Sequence, residues 1–205
     1  MQLLVGLGNP GAEYTHNRHN IGFMALDAVM RRHEFGASHR KFHGVIAEGR
    51  IGGKRVLALR PLTYMNESGV SVAEASHFYK IPPERIYVLY DELDLMPGKV
   101  RVKRGGGSAG HNGIRSIDAH CEPDYWRIRL GIGHPGDRAA VLRYVLRDFT
   151  KADRVWLEPL LDAVAETIPL LLDGRDSDFM SRVALQMKPA KPPRDTGAKS
   201  TDTSG

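Results

Sequence analysis

The chain has 205 residues, of which 41% are hydrophobic and 26% are charged, a composition and length that fit one globular domain with a sizeable core. It contains no run of about 18 apolar residues and no N-terminal secretion signal, so neither a membrane-spanning nor a secreted protein is expected. The single cysteine, Cys121, cannot form an internal disulfide. We therefore expect a reduced, soluble, cytoplasmic protein.

The charge balance favours a polyanionic partner. Lys and Arg number 29 against 24 Asp and Glu, which gives a formal net charge of +5. Residues 188–205 combine Pro, Gly, Ser and Thr with Lys but have no large apolar group, so burial cannot offset their ordering entropy. We predict one domain over residues 1–187, followed by a disordered tail over 188–205 that is either inert or a weak contributor to RNA affinity.

The predicted elements alternate between strands and helices, without an internal repeat of about 20 to 50 residues. Apolar runs and alternation predict strands at residues 2–6, 42–49, 54–60, 86–91, 99–104 and 126–133. Helical spacing predicts helices at about residues 20–34, 68–80, 112–121, 139–147, 151–173 and 176–186. The expected fold is therefore a single α/β domain whose twisted, mixed and largely parallel sheet is flanked by helices.

Polar clusters follow the predicted strands. They occupy residues 9–19 after the first strand, 64–66 after the third, 91–92 at the end of the fourth and 105–112 after the fifth. Ligands of open α/β sheets bind beyond the carboxyl ends of the strands. If the strands point the same way, these clusters share one cleft.

Two glycine motifs raise alternative functions. Gly6, Gly8 and Gly11 match G-x-G-x-x-G after a strand, but the polar run 13–19 delays the helix, and no second strand ends in an acidic residue about 20 positions later. A dinucleotide-binding site is therefore poorly supported.

The second glycine motif, at residues 106–110, matches G-x-S-x-G with Ser108 as the nucleophile of a serine esterase and His134 further along the chain. An HGGG-like oxyanion segment is lacking, and the interval between Ser108 and His134 is too short for an α/β-hydrolase sheet. The glycines are better explained as backbone that lets N–H groups approach an anion, with the serine esterase as a lesser alternative.

His19 precedes a predicted helix, with Asn20 as its N-cap, where a lone histidine is ordinarily structural. However, the predicted buried strand 86–90 runs directly into Asp91, and a carboxylate in that position is costly unless a partner accepts its charge. An imidazole suits this role, because pairing fixes one ring nitrogen as donor, leaves the other basic and raises the pKa above about 6.5. The pair is thus a candidate general base.

Three asparagines, Asn9, Asn66 and Asn112, lie in turns that follow strands. Each alone is a common turn or N-cap residue. Together, neutral amides suit a site that holds a carbonyl oxygen, a water and sugar hydroxyls without adding charge.

The predicted strand 99–104 carries cations at alternate positions, Lys99, Arg101 and Lys103, with Arg104 added at its end. A solvated sheet face would explain this pattern, but the strand also runs into a glycine-rich loop. Cations supply charge and backbone N–H groups supply direction, so the combination favours contact with a phosphate backbone. Metal binding is not expected, because the histidines show no H-E-x-x-H spacing and no cysteine pair is present.

Five segments in this order resemble the bacterial-type peptidyl-tRNA hydrolases. They are GLGNPG-x-x-Y-x-x-x-RHNIGF at 6–23, RPLTYMNESG at 60–69, YDELDL at 90–95, GGGSAGHNG at 105–113 and RLGIGHP at 129–135. The resemblance covers about residues 1–187. It implies a monomeric enzyme of translation and ribosome rescue, without a required cofactor, that cleaves the ester between a peptide and the 3′ ribose of tRNA.

Carried over to this sequence, the resemblance implies His19 as the catalytic base and Asp91 as its orienting carboxylate. Substrate and water would contact Asn9, Asn66 and Asn112, and Tyr14 and Met65 would line the peptide end. Lys103 and Arg129 would face the acceptor stem and 3′ end of peptidyl-tRNA. The main alternative from another class is a non-catalytic RNA-binding protein on the same scaffold.

Overall fold

A computed structural model describes residues 1–188 of the chain. The predicted tail, apart from the exposed Lys188, lies outside the described residues. No helix within residues 1–188 combines the length and the apolar character needed to cross a membrane.

The strands of this part of the chain form one sheet in the order β2-β3-β4-β1-β5-β7-β6. They are β1 (Gln2–Gly6), β2 (His39–Lys41), β3 (Gly44–Ile51), β4 (Lys54–Pro61), β5 (Ile86–Glu92), β6 (Val100–Arg104) and β7 (Trp126–Gly131). β4, β1, β5 and β7 are parallel neighbours, whereas β3 and β6 run antiparallel to the strands beside them. The predicted mixed, largely parallel sheet is confirmed, and the carboxyl ends of the four central strands meet at one edge.

Helices cover both faces of this sheet, as predicted. They are α1 (Ile21–Arg32), α2 (Ser68–Phe78), α3 (Asn112–His120), α4 (Val141–Val145), α5 (Arg154–Leu172) and α6 (Asp176–Gln186). One apolar core packs α1, α5 and α6 on one face, and the other packs α2 and α3 on the opposite face. α4 is shorter than predicted, because a 3-10 turn precedes it.

β5 explains how a carboxylate comes to lie inside the protein. The strand is flanked by β1 and β7 and is buried along its whole length. A strand covered on both faces is expected to be continuously apolar, and residues 86–90 follow that rule. The chain then ends the strand with two acidic residues at the carboxyl edge of the sheet.

The glycines after β1 serve close packing between β1 and α1. A Cβ atom on Gly6 would lie 2.4 Å from the backbone oxygen of Gly22, and one on Gly8 would lie 2.6 Å from the ring of Phe23. Gly11 begins a short 3-10 turn and not the first helix, which starts only at Ile21. The G-x-G-x-x-G pattern therefore has a structural explanation.

Two features of the sheet differ from the expectation. β2 was not predicted; it pairs with β3 through a tight turn in which Phe42 and His43 have positive φ angles. β6 runs antiparallel to β7, so its carboxyl end lies at the opposite edge of the sheet from the end of β5. Residues 105–110, which we call the glycine loop, therefore return from that edge before α3 begins.

Candidate active site

A buried carboxylate meets two imidazoles at the carboxyl edge of the sheet. Nδ1 of His19 lies 2.9 Å from both carboxylate oxygens of Asp91, which is 72 positions away in the chain. Nε2 of His111 lies 2.8 Å from Oδ1 of the same carboxylate. The two imidazole rings have centroids 5.0 Å apart. The structure thus brings the predicted pair together and adds a second imidazole that the sequence analysis had not identified.

Three elements position this trio. Asp91 lies near the end of β5, His19 in a 3-10 turn before α1, and His111 at the N-cap of α3. Nδ1 of His111 accepts a hydrogen bond of 3.3 Å from the backbone N–H of Ile114, which leaves Nε2 to donate to Asp91. In His19 it is Nδ1 that faces the carboxylate, so Nε2 is the nitrogen that remains available for a proton.

The electrostatics of the pair suit proton transfer. Burial opposes ionisation of Asp91, but the charges and hydrogen bonds of the two imidazoles outweigh it and hold the pKa of the carboxyl below its ordinary value. Burial likewise opposes protonation of His19, but the Asp91 carboxylate outweighs it and raises the pKa of His19 above 6.5. The result is a carboxylate whose ionised form is favoured, beside an imidazole of increased basicity.

Asn9 is held in a fixed orientation by two neighbours. Its backbone N–H donates to Oδ1 of Asn20 at 2.9 Å, and Nδ2 of Asn20 donates back to the Asn9 carbonyl at 3.0 Å. The backbone N–H of Met65 donates to Oδ1 of Asn9 at 2.8 Å. Among the described residues, the NH₂ group is therefore the end of the Asn9 side chain that has no hydrogen-bond partner. Asn20 occupies the N-cap position of α1, but its side chain fixes Asn9 instead of capping the helix.

A cleft of about 680 Å³ opens on the trio. His19, Asp91, Asn112 and Ser108 contribute to its lining, so three of the four predicted polar clusters reach one space. Asn9 and residues 64–66 are not in that lining. The facing wall is formed largely by α4, through Val141, Leu142 and Val145.

The remaining predicted substrate residues lie outside the lining of this cleft, within the described part of the chain. Tyr14 is half-buried in a 3-10 turn after β1, and Asn66 is exposed in the turn before α2. Met65 is buried, and its sulfur would lie 2.5 Å from a Cβ atom on Gly113, so it packs directly under the start of α3. Their substrate contacts remain predictions.

Arg18 joins the turn of His19 to the segment that follows the cleft wall. The side chain is 9% exposed and donates to the carbonyls of Arg147 and Asp148 at 3.3 and 2.8 Å. It also forms a 2.8 Å ion pair with Asp153, and its guanidinium lies 4.6 Å from the ring centroid of Tyr144. Burial, charge and stacking therefore fix α4 relative to the His19 turn.

The predicted cations of β6 form a block with β7. The register places Arg101 opposite Arg129 and Lys103 opposite Arg127, while the alternate valines of β6 are buried. Like charges directly opposite one another destabilise a sheet. The block is therefore costly for the fold alone, which favours a functional explanation.

The cations of this block differ in whether a carboxylate pairs with them. Nε of Arg129 lies 2.8 Å from the Glu92 carboxylate, and Arg104 lies 2.6 Å from that of Asp124. Within residues 1–188, neither Lys99, Arg101 nor Lys103 forms an ion pair. The ammonium of Lys103 lies against Gly106, which places a cation beside the glycine loop as predicted.

Ser108 lacks the environment of a nucleophile. In the described residues no hydrogen bond joins its hydroxyl to an imidazole, since Nδ1 of His134 accepts from Gly136 at 3.0 Å and the nitrogens of His111 serve Ile114 and Asp91. A serine esterase is therefore not favoured.

The trio also has the chemistry of metal ligands, and its ligand atoms lie within 4.8 Å of one another. The separations of 2.8 and 2.9 Å from each imidazole to the carboxylate are hydrogen-bond distances, and N–H donation accounts for both contacts. The arrangement can thus transfer a proton without an ion.

An ionised carboxylate, an imidazole with one nitrogen unpaired within residues 1–188 and an adjoining cleft in an α/β sheet define a hydrolase of the general-base class. The family model for peptidyl-tRNA hydrolase matches residues 3–192. The chain belongs to the peptidyl-tRNA hydrolase family.

Individual relatives agree with this membership. The chain is 59% identical over 191 residues to a peptidyl-tRNA hydrolase of Rhodospirillum rubrum. The aligned region covers 93% of this chain and 79% of that protein. It is 60% identical over 188 residues to one of Methylobacterium sp. (strain 4-46), with coverage of 92% and 93%. A crystal structure of peptidyl-tRNA hydrolase from Acinetobacter baumannii has a TM-score of 0.84 at 41% identity, covering 89% of this chain and 94% of that one.

Proposed function

We propose that this chain hydrolyses the ester bond between a peptide and the 3′ ribose of tRNA, with His19 as general base. The observation that carries the proposal is the contact of 2.9 Å between Nδ1 of His19 and the buried Asp91, at the mouth of a cleft of about 680 Å³. This geometry occupies Nδ1 and leaves Nε2 without a partner among the described residues, on a side chain that lines the cleft, which suits activation of a water molecule.

The reaction follows from the chemistry of an ester. A water molecule donates a proton to Nε2 of His19 while its oxygen attacks the ester carbonyl carbon. Asp91 stabilises the imidazolium that forms, and the C–O bond to the ribose then breaks as the proton passes to the leaving 3′ oxygen. Because water attacks directly, no covalent intermediate with the protein is required.

The charge that develops on the carbonyl oxygen needs a neutral donor. Asn9 suits this role because Met65 already occupies its side-chain oxygen at 2.8 Å and leaves its NH₂ group free. Asn66 is the alternative donor, since it is exposed in the adjoining turn. Asn112, in the cleft lining, is assigned to the ribose end, and Tyr14 and Met65 to the peptide end.

The RNA is assigned to the cations of β6 and β7. Lys99, Arg101, Lys103, Arg104 and Arg129 would contact phosphates of the acceptor stem, whose A-form helix is recognised mainly by shape and backbone. We propose that one monomer in the cytoplasm binds the stem and 3′ end without a cofactor. Little base specificity is expected.

A non-catalytic RNA-binding protein on the same scaffold would need the cations but not the trio. The discriminating experiment measures release of free tRNA from peptidyl-tRNA by the unmodified protein, by His19→Ala and by His77→Ala, a control on the exposed surface of α2. Turnover by the unmodified protein and the control, but not by His19→Ala, supports the hydrolase. Tight binding of tRNA with no turnover in any of the three would support the binding protein.

A further inference from the structure

Arg127 is a fully buried cation that the reaction described above does not use. It lies on β7, opposite Lys103 and on the same sheet face as Arg129. Its exposed fraction is 0%, whereas the cations next to it on β6 reach solvent. Burying a guanidinium is costly unless its donors are satisfied, so its contacts should reveal what it holds.

Those contacts join the glycine loop to α3 and to the segment before β7. Nη1 of Arg127 donates to the carbonyl oxygen of Gly107 at 2.7 Å. Nη2 donates to Oδ1 of Asp118 on α3 at 2.7 Å, and the hydroxyl of Tyr125 donates to the same oxygen at 2.8 Å. The guanidinium also lies 4.7 Å from the ring centroid of Tyr125. Arg127 therefore connects the middle of the loop to α3 and to the sheet.

The loop is a segment in which such an anchor matters. Gly105, Gly106, Ala109 and Gly110 all have positive φ angles, and most of its residues are exposed, so local packing does little to fix its path. His111 follows the loop directly, and its backbone N–H donates to the Ser108 carbonyl at 2.9 Å. Arg127 thus contacts Gly107, and the next residue along the chain, Ser108, accepts the hydrogen bond from His111.

We propose that Arg127 is a positioning residue for ester hydrolysis, which fixes the glycine loop through the Gly107 carbonyl and thereby keeps the imidazole of His111 against Asp91. The proposal rests on the proposed function. Arg127 belongs to the block of cations on β6 and β7 that is assigned to RNA, but its side chain is buried. Its proposed role is therefore in the geometry of proton transfer and not in RNA contact.

The proposal makes a directional prediction for pH dependence. When the loop loosens, Asp91 loses the hydrogen bond from His111 and its negative charge acts more strongly on His19. The affinity of His19 for a proton then rises, so the acid limb of kcat/KM moves to higher pH. Displacement of Asn112, the residue after His111, raises KM as well. A variant that merely lowered the folded fraction would reduce kcat/KM without moving the limb or KM.

The test compares Arg127→Lys with the unmodified protein in pH profiles of kcat and KM for peptidyl-tRNA. Lysine keeps the charge but cannot bridge the Gly107 carbonyl and Asp118 with a planar fork. Arg55→Gln is the matched control, because Arg55 pairs with Glu48 at exposed positions on β4 and β3, which β1 and β5 separate from β7. The other charged and titratable side chains that line the cleft are unchanged in every variant: Glu92, Asp94, Arg115, His134 and Arg138.

For Arg127→Lys we expect kcat/KM to fall on the order of tenfold, as for a misplaced catalytic geometry, with the acid limb shifted upward and KM raised. Asp118→Asn keeps Arg127 and weakens its anchor, so a smaller shift in the same direction is expected. Circular dichroism establishes which variants fold. If Arg127→Lys does not fold, the pH profile of Asp118→Asn tests the positioning role instead.

The control Arg55→Gln should leave the acid limb and KM unchanged. If the folded variants of Arg127 and Asp118 also leave both unchanged, the positioning role is overturned. Turnover of peptidyl-tRNA by the unmodified protein that His19→Ala abolishes would still stand in that case. Failure of the inference and failure of the proposed function are therefore distinguishable.

Discussion

Nε2 of His111 lies 2.8 Å from Oδ1 of Asp91, an oxygen that Nδ1 of His19 also approaches, at 2.9 Å. A carboxylate with 3% exposure thereby obtains two N–H donors, which offset the cost of burying its charge. Under the proposed function the arrangement would separate two tasks: His19 would exchange the proton, and His111 would hold the carboxylate that makes this exchange favourable.

The charge of Asp91 should set the pH at which the enzyme becomes active. Activity requires neutral His19, so kcat/KM falls as pH drops below the pKa of that imidazole. Asp91→Asn removes the carboxylate that raises this pKa and leaves the burial that lowers it. We expect the acid limb to move to lower pH, together with a lower kcat. The measurement is kcat/KM for peptidyl-tRNA between about pH 5 and pH 8.

Thermal unfolding of Asp91→Asn at neutral pH serves as the control for that experiment. A limb that remains in place in a folded variant would mean that Asp91 does not tune His19.

Removal of the base itself should affect chemistry and not binding. His19→Ala is expected to lower kcat by about 10²–10⁴, the usual contribution of a general base, and to leave the affinity for tRNA nearly unchanged. Single-turnover kinetics with saturating enzyme measure the first quantity, and filter binding of uncharged tRNA the second. A kcat within a factor of a few of that of the unmodified protein would remove His19 from the mechanism.

The pair of His19 and Asp91 was predictable from the sequence. An acidic residue that follows a buried apolar strand needs a partner, and that requirement is visible in the local sequence. His111 was not predicted, because its role depends on a loop that crosses the sheet. Its sequence signal was its position directly before a predicted helix, where it became the N-cap. The direction of β6 was not predictable either, since the alternation of Val100 and Val102 with cations is the same in a parallel and an antiparallel strand.

The cations of β6 should contribute to RNA binding according to their ion pairs. Lys103→Ala is expected to weaken tRNA binding and to lower the slope of log K against log salt by about one, the loss of one phosphate contact. Arg104→Ala should have a smaller effect, because Asp124 lies 2.6 Å from its guanidinium and already offsets part of its charge. Titrations at several salt concentrations measure both slopes.

Lys54→Ala is the matched control for these titrations, because Lys54 pairs with Asp173 at the edge of the sheet opposite the cleft. Equal slopes for the control and for Lys103→Ala would mean that β6 presents an ordinary solvated face.

Arg18 should be worth more to stability than an exposed arginine. Arg18→Met leaves Asp153 without its ion pair and the Asp148 carbonyl without its guanidinium donor, while the Arg147 carbonyl keeps only the backbone N–H of residue 18. We therefore expect a loss of about 1–3 kcal/mol in the free energy of unfolding. Arg32→Met, which breaks an ion pair with Glu166 between half-exposed side chains, is the control and should cost less than about 1 kcal/mol. Urea unfolding monitored by fluorescence measures both. Similar values for the two variants would contradict the view that Arg18 fixes the cleft wall.

Ser108 provides the clearest separation between direct attack by water and a covalent mechanism. It lines the same cleft as His19, so a serine nucleophile would be within the substrate's reach, but the structure gives its hydroxyl no imidazole within the described residues. Ser108→Ala should therefore leave kcat within about twofold of the unmodified protein, because no covalent step depends on the hydroxyl. Rapid-quench kinetics add a second readout, since an acyl-enzyme would release tRNA in a burst before steady state, whereas direct hydrolysis releases tRNA and peptide together. A burst in the unmodified protein that Ser108→Ala abolishes, with a loss of kcat as large as that of His19→Ala, would replace the general-base mechanism with a serine esterase.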